Sequence, residues 1–182
     1  SLRARLLHIN RPGFASLFES QGGVRGMTEE LNKKVDQLRL VAGESACTVK
    51  LQCNMGKGAC FPLHFDNPGR PNSRQVTALF YLNEGWKQGD GGELQLVPFL
   101  GDKVDIPPTF DRLVLFLSDR VLHRTLPAWA IRRCFTIWLD GDAVAVNQDD
   151  DVFLKAKHLQ AVQDDRSGGG KAVFGHSPLQ RV

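Results

Sequence analysis

The sequence predicts a mainly β domain, built as an antiparallel sandwich or barrel, with helices on its flanks. Five short runs rich in β-branched, aromatic and leucine residues follow one another after Gly43, and clusters of Gly, Pro, Asn and Asp separate them. No long helical pattern lies between these runs, which argues against a parallel α/β sheet. The runs cover residues 47–51, 76–82, 94–97, 113–117 and 134–139.

The composition is that of an ordinary globular protein. Its 182 residues are enough for one domain with its own core, and 42% of them are hydrophobic while 24% are charged. The 23 basic residues are scattered among 20 acidic ones, so no basic cluster indicates nucleic acid as a partner. No apolar run approaches the ~20 residues that span a bilayer, so we also expect no membrane partner.

The four cysteines favour an intracellular setting. Cys47, Cys53, Cys60 and Cys134 form no Cys-x-x-Cys pair, the spacing that marks zinc ribbons and thioredoxin-like motifs. A chain of this length does not need disulfides to be stable, and we expect no signal peptide. The cysteines should therefore be reduced thiols, and we expect the protein in the cytoplasm, the nucleus or both.

Four segments follow one another along the chain. We expect an N-terminal helical buttress over residues 1–45, the β core over 46–145, a C-terminal helix over 146–164 and a flexible, glycine-rich tail over 165–182.

The main N-terminal helix is predicted to begin at Thr28. A threonine can cap a helix, and the following Glu29 and Glu30 suit its positive N-terminal end. Its apolar stripe comprises Leu31, Val35 and Leu38. Two further short helices are predicted over residues 15–19 and 152–162.

A histidine and an aspartate lie two positions apart, at His64 and Asp66. If this segment is extended, the two-residue period of a strand puts both side chains on one face. With His123 as third ligand, two imidazoles and one carboxylate would leave the opposite side of a metal open, as in non-haem Fe(II) oxygenases. A His-x-Asp pair also occurs by chance, and a histidine on an apolar strand is more often only hydrogen-bonded.

A second group of candidates shares one face of a predicted strand, namely Arg132, Cys134, Thr136 and Trp138. An arginine on an inward face is costly unless it is paired, so Arg132 calls for a carboxylate. That carboxylate belongs either to a ligand, held by the planar guanidinium, or to an acidic residue such as Asp140.

The only tyrosine of the chain, Tyr81, lies in the predicted strand 76–82. It is either a core residue or a second hydrogen-bond donor to the carboxylate that Arg132 binds. The tight turn of Gly91 and Gly92 precedes the run 94–97, whose apolar side chains can form the wall of a small dry pocket.

A series of short motifs runs in order through about half of the chain. The motifs are His64-Phe65-Asp66-Asn67-Pro68, Phe80-Tyr81-Leu82-Asn83-Glu84-Gly85-Trp86, Gly91-Gly92-Glu93-Leu94, Phe110-Asp111-Arg112-Leu113, Ser118-Asp119-Arg120, and the stretch from His123 through Pro127-Ala128-Trp129-Ala130 to Arg132 and Trp138. With this series the span 47–140 resembles the catalytic domain of the 2-oxoglutarate- and Fe(II)-dependent prolyl hydroxylases, most closely those that hydroxylate hypoxia-inducible factor.

The resemblance implies a double-stranded β-helix, that is, a jelly-roll or cupin-like fold. It implies that His64, Asp66 and His123 bind Fe(II), and that Arg132 binds the distal carboxylate of 2-oxoglutarate with help from Tyr81. The other residues expected to contact the cosubstrate or to line its pocket are Thr136, Leu79, Leu94, Cys134 and Trp138.

The activity implied is hydroxylation of a proline in a protein or peptide partner, by a monomer, and the resemblance also implies a role in oxygen sensing. Dioxygen is consumed, 2-oxoglutarate is decarboxylated to succinate and CO2, and ascorbate serves as reductant; the cofactor does the difficult chemistry. Residues 53–63 and 67–73 are expected to be the substrate-binding loops. The alternatives are hydroxylation of a small molecule or a non-proline side chain, and a non-catalytic jelly-roll module that binds a metal or a peptide.

The chain departs from this family at three places. Asn54 stands where the hypoxia enzymes carry a tyrosine that reaches the cosubstrate, and Phe61 replaces another tyrosine. The segment between Ser118 and His123 is one residue shorter. None of these changes touches an expected metal ligand, so they bear on cosubstrate affinity and substrate identity rather than on the presence of activity.

Overall fold

The computed structural model describes residues 7–9, 22–35, 38–41, 47–68, 71–98 and 102–141. Within these ranges the chain forms one helix and nine strands. They are α1 (Gly23–Lys34), β1 (Leu7–Ile9), β2 (Cys47–Asn54), β3 (Ala59–His64), β4 (Arg74–Tyr81), β5 (Leu94–Val97), β6 (Val104–Ile106), β7 (Arg112–Leu117), β8 (Leu122–Ala128) and β9 (Arg132–Asp140).

Some of the predicted elements lie outside these ranges. They are the helices over residues 15–19 and 152–162 and the tail over 165–182, so the four-segment division of the chain stays a prediction. The described residues include no helix with the length and apolar character that crossing a membrane requires.

The strands form two sheets that the chain visits in alternation. A five-stranded sheet has the order β1-β7-β4-β9-β2, a four-stranded sheet has the order β3-β8-β5-β6, and all strand pairs in them are antiparallel. From β2 onward the chain crosses to the other sheet at every connection except the one between β5 and β6. This winding of two facing antiparallel sheets is that of a jelly roll, and the predicted double-stranded β-helix is confirmed.

The central strand β4 is buried on both faces and separates two cores. On one face Ala78 lies in a cluster with Leu31 of α1, so the helix covers the outside of the five-stranded sheet. On the other face Leu79 and Tyr81 lie in a cluster with Leu94 of the four-stranded sheet. Burial on both sides explains why β4 reads as a nearly continuous apolar run.

The ends of α1 differ from the prediction. The helix begins at Gly23, so Thr28, the predicted cap, lies inside it with only 1% of its surface exposed. Its hydroxyl donates a hydrogen bond to the carbonyl oxygen of Val24 at 2.9 Å, and this bond within the helix allows a threonine to be buried there. The helix ends at Lys34, and Leu38 enters the core from the segment that follows it.

The predicted loop over residues 53–63 is wrong for most of its length. Strand β2 continues to Asn54 and β3 begins at Ala59, which leaves only a four-residue turn between them. In this turn Gly56 has a φ of 79°, and a Cβ there would lie 2.5 Å from the carbonyl oxygen of Trp129. The glycine thus allows a tight turn against a neighbouring backbone.

Candidate active site

The pairing of β3 with β8 brings the three predicted metal ligands together. His64, the last residue of β3, is the direct cross-strand neighbour of His123 in β8. Asp66 lies just beyond the end of β3 rather than within the strand, but its side chain still turns toward both imidazoles. One potential ligand atom from each residue lies within 4.8 Å of the other two.

The carboxylate of Asp66 lies between the two histidines. Its Oδ1 is 3.3 Å from Nε2 of His64, and its Oδ2 is 3.7 Å from Nε2 of His123. The centroids of the two imidazole rings are 4.3 Å apart. Three donor atoms therefore converge on one small volume.

Both imidazoles are oriented by a carbonyl oxygen two residues earlier in the chain. Nδ1 of His64 is 2.8 Å from the oxygen of Pro62, and Nδ1 of His123 is 3.0 Å from the oxygen of Val121. A carbonyl oxygen can only accept, so each Nδ1 carries the proton and donates. Each Nε2 is then the nitrogen that faces Asp66 and is available to a metal, the usual arrangement around histidine ligands.

Asp66 is held as an anion. Burial raises the pKa of its carboxyl group, but the neighbouring imidazoles, that of His64 first, and a hydrogen bond from Thr77 together bring that pKa well below its usual range. The Thr77 hydroxyl donates to Oδ2 at 2.7 Å and lies 2.8 Å from the hydroxyl of Ser118. The buried hydroxyl of Thr77 thus holds the Asp66 carboxylate in place, and the hydroxyl of Ser118 contacts Thr77 in turn.

His123 is held neutral. Burial and then the neighbouring His64 lower its pKa to about 4, against the opposing attraction of Asp66. A carboxylate and a neutral imidazole are the protonation states that bind a divalent metal.

The residues present fit such a metal with open coordination positions. Two imidazole nitrogens and one carboxylate form the facial set of non-haem Fe(II) sites. The indole N–H of Trp138 is close enough to Asp66 to lower its pKa, yet it is buried and forms no hydrogen bond within the described part of the chain. An unsatisfied buried donor beside the three ligands is consistent with a ligand bound to the metal.

Arg132 lies on the inward face of β9 with 4% of its surface exposed. Its Nε donates to the carbonyl oxygen of Gly92 at 2.8 Å, Nη1 to Sγ of Cys134 at 3.2 Å and Nη2 to the hydroxyl of Tyr81 at 3.4 Å. No carboxylate of the described residues pairs with it, and Asp140 instead accepts a hydrogen bond from Ser73. A buried guanidinium with only neutral partners leaves a place for a ligand carboxylate.

Gly92 makes room for this arginine. Its φ is 76°, and a Cβ at this position would lie 2.7 Å from Cδ of Arg132. The tight turn that the sequence indicated therefore also allows the guanidinium stem to pass close to the backbone.

Tyr81 is fully buried beside the guanidinium. Burial raises the pKa of its phenol to about 12, although the charge of Arg132 opposes the rise. The phenol is therefore neutral, and its own proton remains available for donation to a bound ligand.

The metal ligands and Arg132 open into one cavity of about 280 Å³. Eight of the ten predicted site residues line it: His64, Asp66, His123, Arg132, Thr136, Leu79, Leu94 and Trp138. The other two, Tyr81 and Cys134, do not line it but accept hydrogen bonds from Arg132. The structure thus brings the predicted residues together, while the individual roles assigned to them stay predictions.

Sequence reasoning missed several residues of this cavity. Lys50 and Gln52 of β2 line it, as do Phe65 and Thr125. The alternating polar positions of β2 were a usable signal, because every second side chain of a strand shares a face. Thr77 and Ser118 carried no comparable signal, since their role depends on contact across the sheets.

A second cavity of about 250 Å³ lies between Asn83, Trp86 and Phe110. The amide of Asn83 and the indole N–H of Trp86 are already hydrogen-bonded to backbone atoms. Its lining also includes Glu84, Asp90 and Arg133, but it contains no group of three potential metal ligands among the described residues.

Known proteins match the chain over the same region. The family model of the 2OG-Fe(II) oxygenase superfamily matches residues 49–140. Egl nine homolog 1 of Rattus norvegicus is 40% identical over 94 residues, which cover 50% of this chain and 28% of that protein. The chain thus spans little more than a quarter of this curated relative.

Two solved structures share the fold. A prolyl 4-hydroxylase of Phytophthora capsici has a TM-score of 0.63 and 42% identity, and the match covers 90% of this chain and 54% of that one. A prolyl hydroxylase of Trichoplax adhaerens, in complex with a hypoxia-inducible factor peptide, has a TM-score of 0.53 and 34% identity, covering 67% of this chain and 60% of that one. With a family match over half of the 182 residues, this chain belongs to the 2OG-Fe(II) oxygenase superfamily.

Proposed function

We propose that the chain is a 2-oxoglutarate- and Fe(II)-dependent dioxygenase that hydroxylates a prolyl residue of a protein. The observation that carries this proposal is one cavity that joins a three-donor metal site to a buried arginine without a carboxylate partner among the described residues. A keto acid with a second carboxylate requires both features, a metal with open positions and a cationic fork. The prolyl hydroxylases among the similar structures support proline as the target.

Each residue has a distinct task in this proposal. His64, Asp66 and His123 hold Fe(II), and Arg132 with Tyr81 orients the distal carboxylate of 2-oxoglutarate. When bound, Fe(II) and 2-oxoglutarate supply an oxidative decarboxylation in which dioxygen gives one oxygen atom to succinate and one to the hydroxylated product, with release of CO2. The protein contributes orientation and exclusion of water.

Two cations lie beside the metal end of the cavity. The guanidinium carbon of Arg74 is 4.0 Å from the ring centroid of Trp138, and its Nη1 is 3.4 Å from the backbone oxygen of Asp66. The ammonium of Lys50 lies 5.3 Å from the ring centroid of Phe61. We expect a protein segment with an acidic residue near the target proline to be preferred, because opposite charges steer association.

The direct test is turnover by the full chain. With Fe(II), 2-oxoglutarate and proline-containing peptides in air, we expect succinate by NMR and the gain of one oxygen atom on a peptide proline by mass spectrometry. The double variant Asp66→Ala, His123→Ala should form neither product, while Asp102→Ala, an exposed carboxylate, should match the wild type.

The outcomes separate the alternatives. Succinate formation that survives in the double variant would refute the proposed site. Succinate without peptide hydroxylation would indicate a small molecule or another side chain as substrate, and metal binding without succinate would indicate a non-catalytic module.

Four further expectations belong to this proposal. Ascorbate should sustain turnover as reductant, the chain should act as a monomer, the protein should be found in the cytoplasm or nucleus, and its rate should respond to oxygen. Turnover with and without ascorbate, sedimentation, localisation of a tagged chain and the KM for dioxygen test them in turn.

A further inference from the structure

Strand β2 presents polar side chains to the cavity from the edge of the five-stranded sheet. It pairs only with β9, and the register places Gln52 opposite Cys134 and Lys50 opposite Thr136. Paired residues of neighbouring strands lie on the same face of the sheet. Gln52 and Lys50 therefore share the inward face of Arg132, and both line the cavity.

The oxygen of the Gln52 amide is already engaged. Oε1 accepts hydrogen bonds from the Thr136 hydroxyl at 3.2 Å and from Sγ of Cys134 at 3.7 Å. Cys134 Sγ in turn accepts from Nη1 of Arg132. This chain of contacts fixes the amide and links it to the guanidinium.

The nitrogen of the same amide is not engaged. Within the ranges that the structure describes, Nε2 of Gln52 forms no hydrogen bond. Lys50 differs, because its ammonium lies over the ring of Phe61. The amide N–H of Gln52 is thus a fixed donor in a cavity wall, next to a cation.

A carboxylate bound at Arg132 can use this donor. Each nitrogen of the guanidinium donates one hydrogen bond, to Gly92, Cys134 and Tyr81 respectively. One further N–H therefore remains on each terminal nitrogen and can donate to a bound ligand. A carboxylate offers about four acceptor positions, so two N–H groups of Arg132 and the phenol of Tyr81 leave one position open.

We propose that the amide N–H of Gln52 donates a hydrogen bond to the distal carboxylate of 2-oxoglutarate, which makes Gln52 a specificity-determining residue of the cosubstrate site. This inference rests on the proposed function. It assigns β2 a direct part in selecting a dicarboxylic keto acid over a monocarboxylic one.

The test measures binding rather than turnover. The full chain is loaded with Mn(II), and the dissociation constants of 2-oxoglutarate and of 2-oxobutyrate, which lacks the distal carboxylate, are measured by calorimetry. In Gln52→Met, we expect 2-oxoglutarate to bind about tenfold more weakly, the usual loss of a hydrogen bond to a charged group, while 2-oxobutyrate is unchanged. Gln88→Met, at an exposed position, should match the wild type for both ligands.

A second variant covers the possibility that Gln52→Met does not fold. Gln52→Glu keeps an acceptor for Thr136 and Cys134 but replaces the donor by a negative charge, so 2-oxoglutarate should bind about 100-fold more weakly. Equal weakening of both keto acids would show that Gln52 only maintains the pocket and would overturn the inference. So would unchanged 2-oxoglutarate binding, whereas a wild type that binds no 2-oxoglutarate would overturn the proposed function as well.

Discussion

The two ends of the cavity are built on different principles. At the metal end, the polar groups of the ligands are supported by the protein: the carbonyl oxygens of Pro62 and Val121 orient the imidazoles, and Thr77 donates to Asp66. At the other end, the positive charge of Arg132 has only neutral partners among the described residues.

The metal end is therefore defined by the geometry of its side chains, and the other end by the uncompensated charge of Arg132. The metal end can be assembled before any metal or cosubstrate binds, because the hydrogen bonds that orient its three side chains lie within the fold. The arginine end keeps a buried charge that only a bound carboxylate compensates, so ligand binding should stabilise the fold through it. Four predictions test this comparison.

The largest effect is expected for Arg132→Met. The variant should bind 2-oxoglutarate more than about 100-fold more weakly, because a charge-assisted bidentate contact is lost, while its affinity for Mn(II) stays the same. Removing an uncompensated buried charge should leave the ligand-free protein at least as stable, as measured by urea unfolding. Arg133→Met, the exposed neighbour, is the control, and a large loss of stability in Arg132→Met alone would contradict the comparison.

A change at the metal end should instead lower the affinity for the metal. Thr77→Val keeps the shape of the side chain but removes the hydrogen bond to Asp66, so Mn(II) affinity should fall about tenfold, the usual range for a residue that supports a ligand. The fall is measured by calorimetry, with Thr109→Val as the control. An unchanged Mn(II) affinity would mean that the hydrogen bond from Thr77 is not needed to hold Asp66 in place for metal binding.

A comparison of Gly92→Ala with Gly85→Ala should distinguish backbone strain from displacement of Arg132. Gly92 and Gly85 have similar φ angles of 76° and 71°, but a Cβ meets Arg132 only at Gly92 and meets nothing within 4 Å at Gly85. Both alanine variants should lose about 1 kcal/mol of stability from the left-handed backbone, and Gly92→Ala should lose more because its Cβ also meets Arg132 and Ala128. Only Gly92→Ala should also bind 2-oxoglutarate more weakly; equal binding by both variants would place Arg132 elsewhere.

The smallest effect concerns pH. Tyr81 is the only tyrosine, so tyrosinate absorbance reports on this site alone. In the folded protein its pKa is raised to about 12, whereas the denatured chain should titrate near the ordinary value of about 10. The folded state holds this proton more tightly, so the stabilisation is present below pH ~10 and is lost as the pH rises toward ~12. Ionisation of the native chain at the ordinary value would place Tyr81 outside the buried pocket.

Local periodicity accounts for the parts of the site that could be predicted. Alternation along β9 correctly put Arg132, Thr136 and Trp138 on one inward face, because that pattern depends only on the pleat of a strand. The helix cap predicted at Thr28 was wrong, because the helix begins five residues earlier and the Thr28 hydroxyl donates to the carbonyl oxygen of Val24 inside it. The loop predicted over residues 53–63 was wrong for most of its length, because pairing with β9 and β8 extends β2 and β3 into it.

The amino-acid sequence by itself determined the strand-rich fold class, the ligand candidates His64, Asp66 and His123, and the demand of Arg132 for a carboxylate. These follow from side-chain chemistry, from spacing within single segments and from a motif series. Only the tertiary structure decided that Thr77 supports Asp66, that Gly92 makes room for Arg132, and that Gln52 faces the same cavity. These three contacts join different strands and loops, and their distances are set by how two sheets pair and pack rather than by any local pattern.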